Sequence, residues 1–338
     1  MYERVENILK MAEESNTSAI AFICMDDTMA RSVVCAAEAT NTPAIIMLYP
    51  EHVTIQKTCN LSGFAAMVEE MAKEAKVPIG LHADHDYTYD AIINTVNKGF
   101  RSVMMDGSMN DLDTNIALTK KVVDKAHELG AIVEGEIGHV GIAANADNNK
   151  EDLYTKADAA EKFCRETGVD SLAISIGNAH GEYKDTPNLD IARLEEIHAA
   201  VNVPLVLHGG SGIPDDQLLT AFSKGIRKFN LGTEFLGRYY DAVAQFVKEN
   251  AKNPDPVKII NLPEYAGGAS RALSGRENED PLQVLKTKSL KTQLNSLYIK
   301  VIMLIRKIIQ ITLFSSGRGQ NTQDMDISIP QRNIKDMK

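Results

Sequence analysis

The sequence predicts a (β/α)8 TIM barrel, an α/β fold in which eight parallel strands close into a cylinder surrounded by helices. Eight short apolar runs of strand-forming residues recur along the chain, and segments with helical periodicity such as Thr114–Leu129 and Asp158–Glu166 separate them. Strands that alternate with helices pair in parallel through right-handed crossovers. The G-x-G-x-x-G turn of a dinucleotide-binding open sheet is absent after the first run, so the barrel is favoured over that rival.

Polar residues stand at one end of the predicted strands. The third to eighth strands each end in, or lead directly to, a titratable or polar side chain. In such barrels the chemistry gathers at the C-terminal ends of the strands, so we expect these side chains to share one mouth. The strands are predicted at Ser18–Ile23, Ala44–Leu48, Pro78–His82, Ser102–Asp106, Ala131–Glu136, Ser171–Gly177, Pro204–His208 and Ile226–Leu231.

Charge and composition indicate which partners the protein is expected to lack and in which compartment it is expected to work. The 338 residues are 44% hydrophobic, and 36 Lys and Arg against 46 Asp and Glu give a net charge of -10. No basic stripe with interleaved aromatic residues occurs, which disfavours nucleic acid as a partner. The four cysteines form no C-x-x-C pair, Cys24 and Cys35 lie in apolar surroundings that suit buried thiols, and residues 1–14 have no hydrophobic signal core. We therefore expect a cytoplasmic protein that binds no membrane.

The character of the chain changes after about Asn250. Asn253-Pro254-Asp255-Pro256 is a stop signal, Gly267–Asp280 is rich in Gly, Ser and charge, and Leu297–Phe314 is apolar but interrupted by basic residues. We expect a catalytic barrel over residues 1–252, a linker or extension over 253–292, and a C-terminal helix with a polar tail over 293–338. The helix would be amphipathic and pack on the barrel or on a partner subunit.

Three histidines are placed to hold a divalent metal ion. His85, His180 and His208 stand just past the third, sixth and seventh predicted strands, so a barrel would bring them together across its mouth. Three imidazoles with a vacant position form a catalytic site that suits a divalent ion. Other histidines are expected to be ordinary surface or core residues: His52, His127 and His198.

Each carboxylate near the histidines has two possible roles. Asp84 either orients an imidazole or serves as an acid and base for the substrate, and we favour the second role. Asp106 and Glu136 either form a second metal position or pair with Lys and Arg at the rim. Strand alternation places His82 and Asp84 on one face and His85 on the other, which makes His82 a hydrogen bonder that lines the barrel.

Glycine-rich turns after the last strands predict a phosphate site. The turn His208–Pro214 leads from a strand to a helix start, where backbone N–H groups can converge on an anion, and barrels often bind phosphate after strands seven and eight. The alternative is that these glycines only make tight turns and that Ser211 or Thr233 only caps a helix. The candidate phosphate-binding residues are Gly181, Lys184, Gly209, Ser211, Asn230, Gly232 and Thr233.

Together these motifs resemble the class II, metal-dependent ketose-bisphosphate aldolases, the family of fructose- and tagatose-bisphosphate aldolases. The resemblance covers roughly residues 1–250. Its most specific pieces are Asp84-His85, Val133–Gly138, Gly177-Asn178-Ala179-His180-Gly181, Val203–Gly212 and Asn230-Leu231-Gly232-Thr233-Glu234.

The resemblance implies a mechanism and partners. Zn²⁺ on His85, His180 and His208 would chelate a dihydroxyacetone phosphate unit and stabilise its enediolate, and Asp84 would move the proton of the hydroxyl at the cleaved bond. The seven candidate phosphate-binding residues would hold the phosphate of a small phosphorylated sugar. The resemblance also leaves room for a monovalent cation and implies a homodimer or homotetramer.

Two departures from the family pattern keep other functions open. The mobile-loop Glu that moves the proton at the nucleophilic carbon is missing from Gly141–Asp147, and the candidate substitutes are Asp147, Glu151 and Asp152. Leu236 stands where some members carry an Arg that meets a second phosphate. The alternatives are a barrel that binds metal and phosphosugar without aldolase turnover, and a phosphate-binding barrel isomerase.

Overall fold

A closed parallel barrel forms the body of the protein. The structure, a computed structural model, describes residues 1–56, 60–145 and 153–250. Eight strands pair in chain order, each parallel to the next, and β8 closes the cylinder by pairing with β1. The strands are β1 Ala19–Ile23, β2 Ala44–Leu48, β3 Ile79–Ala83, β4 Ser102–Met105, β5 Ile132–Ile137, β6 Ser171–Ile174, β7 Leu205–Leu207 and β8 Ile226–Leu231.

The predicted fold class is confirmed, and each predicted apolar run overlaps one of these strands and matches its end to within a few residues. The helices follow the predicted alternation, and the two helical segments named above lie within two residues of α6 and α7. The helices are α1 Val5–Glu14, α2 Asp27–Thr40, α3 Pro50–Gln56, α4 Leu61–Glu74, α5 Tyr89–Asn97, α6 Leu112–Glu128, α7 Ala157–Thr167, α8 Ile191–Ala200, α9 Asp215–Ser223 and α10 Thr233–Asn250.

Local capping fixes where several helices begin. The Asp111 carboxylate accepts a hydrogen bond from Thr114 N at 3.0 Å, so α6 starts directly after it. Asp26 does the same for α2 by accepting from Met29 N at 2.8 Å. Such side-chain acceptors satisfy N–H groups that the first turn of a helix leaves unpaired. The helices therefore start close to the strand ends that carry the site.

Helix α1 closes the end of the barrel where the strands begin. Its buried face includes Val5 and Ile8, and a Cβ added at Gly80 on β3 would lie 2.9 Å from Ile8 Cδ1. The absence of a side chain at Gly80 is therefore what lets α1 approach the sheet. The end where the strands finish stays free for the polar residues.

The core between sheet and helices is apolar, as the composition predicts. One large cluster buries several phenylalanines fully or nearly fully: Phe22, Phe64, Phe163 and Phe222. Where the barrel closes, four residue pairs of β1 and β8 follow one another in a continuous register. Cys24 and Cys35 are both buried, which confirms that prediction.

Some predictions concern segments outside this description. The extension at 253–292 and the helix and tail at 293–338 lie beyond the described residues, so they stay predictions. Within the described ranges, no helix combines the length and apolar character needed to cross a lipid bilayer.

Candidate functional site

The three predicted metal ligands meet at the mouth of the barrel. His85 follows β3, His180 follows β6 and His208 follows β7. Their ring centroids lie 5.0 Å (His85 to His180), 4.7 Å (His85 to His208) and 5.8 Å (His180 to His208) apart. One ring nitrogen of each lies within 4.8 Å of the others. Residues up to 123 positions apart in the chain thus form one cluster.

Neighbouring carboxylates determine which ring nitrogen carries the hydrogen in His85 and in His208. His85 Nδ1 lies 3.0 Å from Asp106 Oδ2, and His208 Nε2 lies 2.8 Å from Glu134 Oε1. An ionised carboxylate only accepts hydrogen bonds, so these nitrogens are the donors. The other two nitrogens, His85 Nε2 and His208 Nδ1, then face each other at 2.9 Å.

This facing pair tests whether a metal ion fits the residues present. Two nitrogen lone pairs repel at that distance unless a proton or a cation lies between or beside them. Three imidazoles are a usual donor set for a catalytic zinc ion, and here carboxylates hold the outer nitrogens of two of them, His85 and His208. The residues therefore fit a divalent metal.

Electrostatics at the cluster agree with this fit. Burial, with the neighbouring imidazoles, lowers the pKa of His180 to about 3, and burial also lowers the pKa of His208, so both rings stay neutral and able to coordinate. Burial would lower the pKa of His85 as well, but the carboxylates of Asp84, Asp106 and Glu136 outweigh burial and raise that pKa to about 10. These carboxylates therefore favour a positive charge at His85, which either a proton on the ring or a divalent cation bound to Nε2 can supply.

Asp84 points into the same mouth. Burial alone would raise its pKa, but His85, His208 and Lys228 together hold the pKa of this carboxyl below its usual value, so it is ionised. Its Oδ1 accepts a hydrogen bond from Asn230 Nδ2 at 3.2 Å and lies 4.0 Å from His85 Nε2. A fixed, ionised carboxylate beside the metal cluster can accept a proton from a bound substrate.

One sequence prediction about these residues is wrong. Strand alternation was expected to put Asp84 and His85 on opposite faces, but β3 ends at Ala83, so the alternation stops before them and both side chains reach the centre. His82, still on the strand, is fully buried and its Nδ1 lies 2.7 Å from Ser102 Oγ. His82 is therefore the barrel-lining hydrogen bonder that was expected.

Asp106 and Glu136 lie on the outer side of His85. These three residues form a second group whose ligand atoms lie within 4.8 Å of one another. Asp106 also accepts from Ser108 Oγ at 2.7 Å, whereas Glu136 Oε2 is buried and has no hydrogen-bond partner among the described residues. Burial and the Asp106 charge raise the pKa of Glu136 to about 8. Within the described ranges neither carboxylate pairs with Lys or Arg, which counts against the rim ion-pair reading.

A cavity of about 830 Å³ opens between the ends of β6, β7 and β8, and residues that follow His180 and His208 in the chain line it. We call it the phosphate pocket because four of the residues predicted to bind phosphate line it. Helix α10 begins at its wall with Thr233, and the N-terminus of a helix presents N–H groups and a positive dipole end to an anion. The predicted residues that line the pocket are Gly181, Lys184, Ser211 and Thr233.

The other predicted phosphate residues have different positions. Gly209 has a φ of 63° and a Cβ there would lie 2.2 Å from Ala179 O, so this glycine shapes a tight turn. Gly232 lies against Ile23, and the buried Asn230 reaches Asp84 instead. Ser211 Oγ accepts from Glu234 N at 3.0 Å, so the helix-capping alternative holds for it alongside its place in the pocket wall.

Charge in the phosphate pocket is mixed. Lys184 is the basic side chain among the described residues that line it, and its neighbours Glu182 and Asp185 are exposed carboxylates. An anion there would depend on backbone N–H groups and on Lys184. The Tyr183 hydroxyl accepts from Ala179 N at 2.7 Å and donates to Gly209 O at 2.9 Å, which ties the loops after β6 and β7 together.

A buried ion pair that the sequence did not predict lies below the histidines. Lys228 on β8 is fully buried and its Nζ lies 2.9 Å from Glu134 Oε2. The available signal was a lysine in the middle of an apolar strand, because a buried Lys needs an acid partner. Lys228, Glu134 and His208 form a continuous chain of contacts that ends at the histidine cluster.

The loop after β5 begins next to the centre. Ala143 N donates to His180 O at 2.9 Å and His180 N donates to Gly141 O at 2.8 Å, so the described start of the loop pairs with the His180 segment. The candidate substitute acids of this loop, Asp147, Glu151 and Asp152, lie outside the described residues. Leu236, at the predicted position of a missing Arg, packs against the apolar core.

A family model and a relative of known sequence both match this chain. A model of the family "Fructose-bisphosphate aldolase class-II" matches residues 3–274. The uncharacterized protein YdjI of Escherichia coli (strain K12) is 41% identical over 230 residues, which cover 67% of this chain and 79% of YdjI.

Solved structures agree with the sequence comparison. The crystal structure of the YdjI aldolase from Escherichia coli K12 superposes with a TM-score of 0.68 at 34% identity, covering 82% of this chain and 97% of that one. A fructose-bisphosphate aldolase from Campylobacter jejuni has a TM-score of 0.67 at 21% identity and covers 91% of this chain and 95% of its own, a likeness of fold alone.

Proposed function

We propose that this chain, which belongs to the class II fructose-bisphosphate aldolase family, catalyses the metal-dependent aldol cleavage and condensation of a phosphorylated ketose of the fructose- or tagatose-bisphosphate type. The products of cleavage would be dihydroxyacetone phosphate and an aldehyde. The observation that carries the proposal is the facing pair His85 Nε2 and His208 Nδ1, 2.9 Å apart.

His85, His180 and His208 would hold Zn²⁺. A divalent ion bound there supplies a Lewis acid for the negative charge that develops on the carbonyl oxygen of the substrate. The carboxylates of Asp106 and Glu134 orient two of the rings through their outer nitrogens. Asp106 and Glu136 would offer the same ion, or a second cation, an alternative position.

Asp84 would move the proton of the hydroxyl at the cleaved bond. It is buried and ionised, and Asn230 Nδ2 holds one of its oxygens at 3.2 Å, leaving the other free for a substrate hydroxyl. A carboxylate within hydrogen-bond reach of the reacting hydroxyl is what general base catalysis requires.

A second acid is needed at the nucleophilic carbon of dihydroxyacetone phosphate. Asp147, Glu151 and Asp152 belong to the segment after β5, where the family pattern has the missing Glu. We infer that one of these three acids replaces the missing loop Glu.

The phosphate would lie in the phosphate pocket. Lys184 would supply a cation, and Gly181 would leave room for the phosphate because it has no side chain. Ser211 and Thr233 lie at the start of α10. We propose that the protein works in the cytoplasm as a homodimer or homotetramer, with no nucleic-acid or membrane partner.

Solvent exchange tests the first half-reaction. Dihydroxyacetone phosphate is incubated in deuterated water with zinc-loaded protein, chelated protein and chelated protein restored with zinc, and loss of the carbon-bound proton is followed by NMR. We expect exchange with the first and third samples only. Binding without exchange would indicate a barrel that holds metal and phosphosugar without turnover, and exchange that survives metal removal would indicate a metal-free isomerase. Either result would overturn the proposal.

A further inference from the structure

A group of uncharged hydrogen-bonding side chains lies at the mouth beside His85. Tyr49 follows β2 directly, His52 is in α3, and Tyr87 follows β3. The Tyr49 ring lies 6.4 Å from the His85 ring and 4.9 Å from the His52 ring, and the Tyr49 and Tyr87 hydroxyl oxygens are 3.4 Å apart. We call these three residues the distal group.

The closed strand order fixes where the distal group stands. In a barrel of eight strands, β2 and β3 lie across the cylinder from β6 and β7. The phosphate pocket opens after β6, β7 and β8, and the three histidines lie between the two sides. A ketose that is anchored by one phosphate in the pocket and chelated at the histidines must extend its remaining carbons towards the distal group.

Charge on the two sides of the centre differs. The phosphate pocket contains a cation, Lys184, and a helix N-terminus beside its carboxylates Glu182, Asp185, Asp215 and Glu234. Near the distal group the charged side chains are acids: Glu51 accepts from the Tyr49 hydroxyl, and Asp86 adjoins Tyr87. Among the described residues, no Lys or Arg side chain has a hydrogen bond, ion pair or ring contact with any member of the distal group. A terminal phosphate would meet carboxylates there.

The distal group also has spare hydrogen-bonding capacity. His52 Nδ1 is buried and has no hydrogen-bond partner among the described residues, and the Tyr87 side chain is 52% exposed at the opening. Neutral donors and acceptors of this kind suit the hydroxyl groups of a sugar chain. A site built of polar groups discriminates between substrates because unmatched groups lose their partners.

Resting on the proposed function, we propose that the aldehyde half of the substrate is an uncharged hydroxyaldehyde whose hydroxyl groups are bound by Tyr49, His52 and Tyr87. The ketose is then a 1-phosphate with no second phosphate at its far end, which replaces the bisphosphate of the proposed function and keeps its aldol chemistry. Aldol cleavage gives dihydroxyacetone phosphate and a neutral aldehyde, and the condensation joins the same two molecules through the new carbon-carbon bond.

The test is the condensation reaction of the metal-loaded protein. Dihydroxyacetone phosphate is supplied with hydroxyaldehydes of two to four carbons, and separately with the same aldehydes bearing a terminal phosphate. We expect kcat/KM for the best neutral aldehyde to exceed that of its phosphorylated form at least tenfold. A preference for the phosphorylated form overturns this inference while leaving the aldolase function standing. Failure of every aldehyde to condense overturns the proposed function and this inference with it.

Two charge-changing variants separate local from global effects. Glu51→Lys places a cation beside the distal group, so the ratio of kcat/KM for phosphorylated over neutral aldehyde should rise about tenfold. Glu14→Lys makes the same change on an exposed residue of α1, at the closed end of the barrel, and should leave the ratio at its parent value. Equal ratios in the two variants would contradict the placement of the aldehyde beside Tyr49.

Discussion

Lys228 and Glu134 form a buried ion pair inside the barrel, with Lys228 Nζ 2.9 Å from Glu134 Oε2. The two side chains come from β8 and β5, on different sides of the cylinder. The Glu134 carboxylate also accepts a hydrogen bond from His208 Nε2 at 2.8 Å. Burial would raise the pKa of Glu134, but Lys228 and His208 hold it well below its usual value, so Glu134 stays an acceptor. The pair therefore fixes the ring orientation of one proposed metal ligand.

Removal of Lys228 should cost both stability and metal affinity. Lys228→Met leaves the Glu134 carboxylate buried without its cation, and a broken buried pair typically costs about 3–5 kcal/mol in the free energy of unfolding. Chemical denaturation checks this loss. Lys73→Met removes an exposed partner of Glu69 and Glu70 and serves as the control, with no expected change.

A double variant distinguishes positioning of His208 from general stabilisation. In Lys228→Met with Glu134→Leu no buried charge is left unpaired, so stability should recover relative to the single variant. His208 Nε2 still lacks its acceptor, and lost support of this kind lowers metal affinity by about 10–100-fold. Zinc titration of the double variant measures it. Parent-like zinc affinity would show that Glu134 does not position His208.

The three histidines should differ from other histidines in metal content. His180→Ala and His208→Ala each remove a proposed ligand at a strand end, where side chains serve the site more than the core. We expect both variants to lose most bound zinc and to remain folded by circular dichroism. His127→Ala is the matched control, because His127 is exposed and pairs with Asp170 far from the mouth. Stoichiometric zinc in either site variant would refute the ligand assignment.

Two acids should affect different steps. If Asp147 moves the proton at the nucleophilic carbon, Asp147→Ala should lower exchange and cleavage by about 10²–10⁴ with metal and phosphate binding unchanged. Asp84→Asn should impair cleavage and leave exchange partly intact, because Asp84 acts at the other carbon. Solvent exchange and product release are measured on the same samples. Parent rates in the single variants of Asp147, Glu151 and Asp152 would exclude a substitute acid among them.

Glycine pairs test the phosphate pocket. Gly181 and Gly130 have φ values of 93° and 74°, and a Cβ at either would meet nothing within 4 Å. An alanine in this backbone region costs about 1–2 kcal/mol at both positions, so thermal stability should fall similarly. Only Gly181 lines the pocket, and the KM for dihydroxyacetone phosphate should rise only in Gly181→Ala. An equal rise in both variants would mean that Gly181 has no part in phosphate binding.

Strand periodicity and strand-end chemistry were enough to predict the barrel and the meeting of His85, His180 and His208. These features are local in sequence, and the closed topology converts them into neighbours. Alternation did not predict the position of Asp84, because the strand ends one residue earlier. The partners of Glu134 and of Asn230 come from distant strands, and such pairings depend on barrel register, which a single sequence does not reveal. The distal group was not predicted, because Tyr49 and Tyr87 lie in loops that have no sequence periodicity and because His52 was expected to be an ordinary surface or core histidine.

The central claim is that the histidine cluster supports aldol chemistry on a phosphorylated ketose. It is tested most directly by measuring release of dihydroxyacetone phosphate from a panel of ketose mono- and bisphosphates, with zinc-loaded protein and after complete chelation. We expect at least one ketose phosphate to be cleaved by the loaded protein, no cleavage after chelation, and recovery when zinc is returned. Triose phosphate release that continues without metal, or binding of the panel by the zinc-loaded protein with no release from any member, would contradict the account.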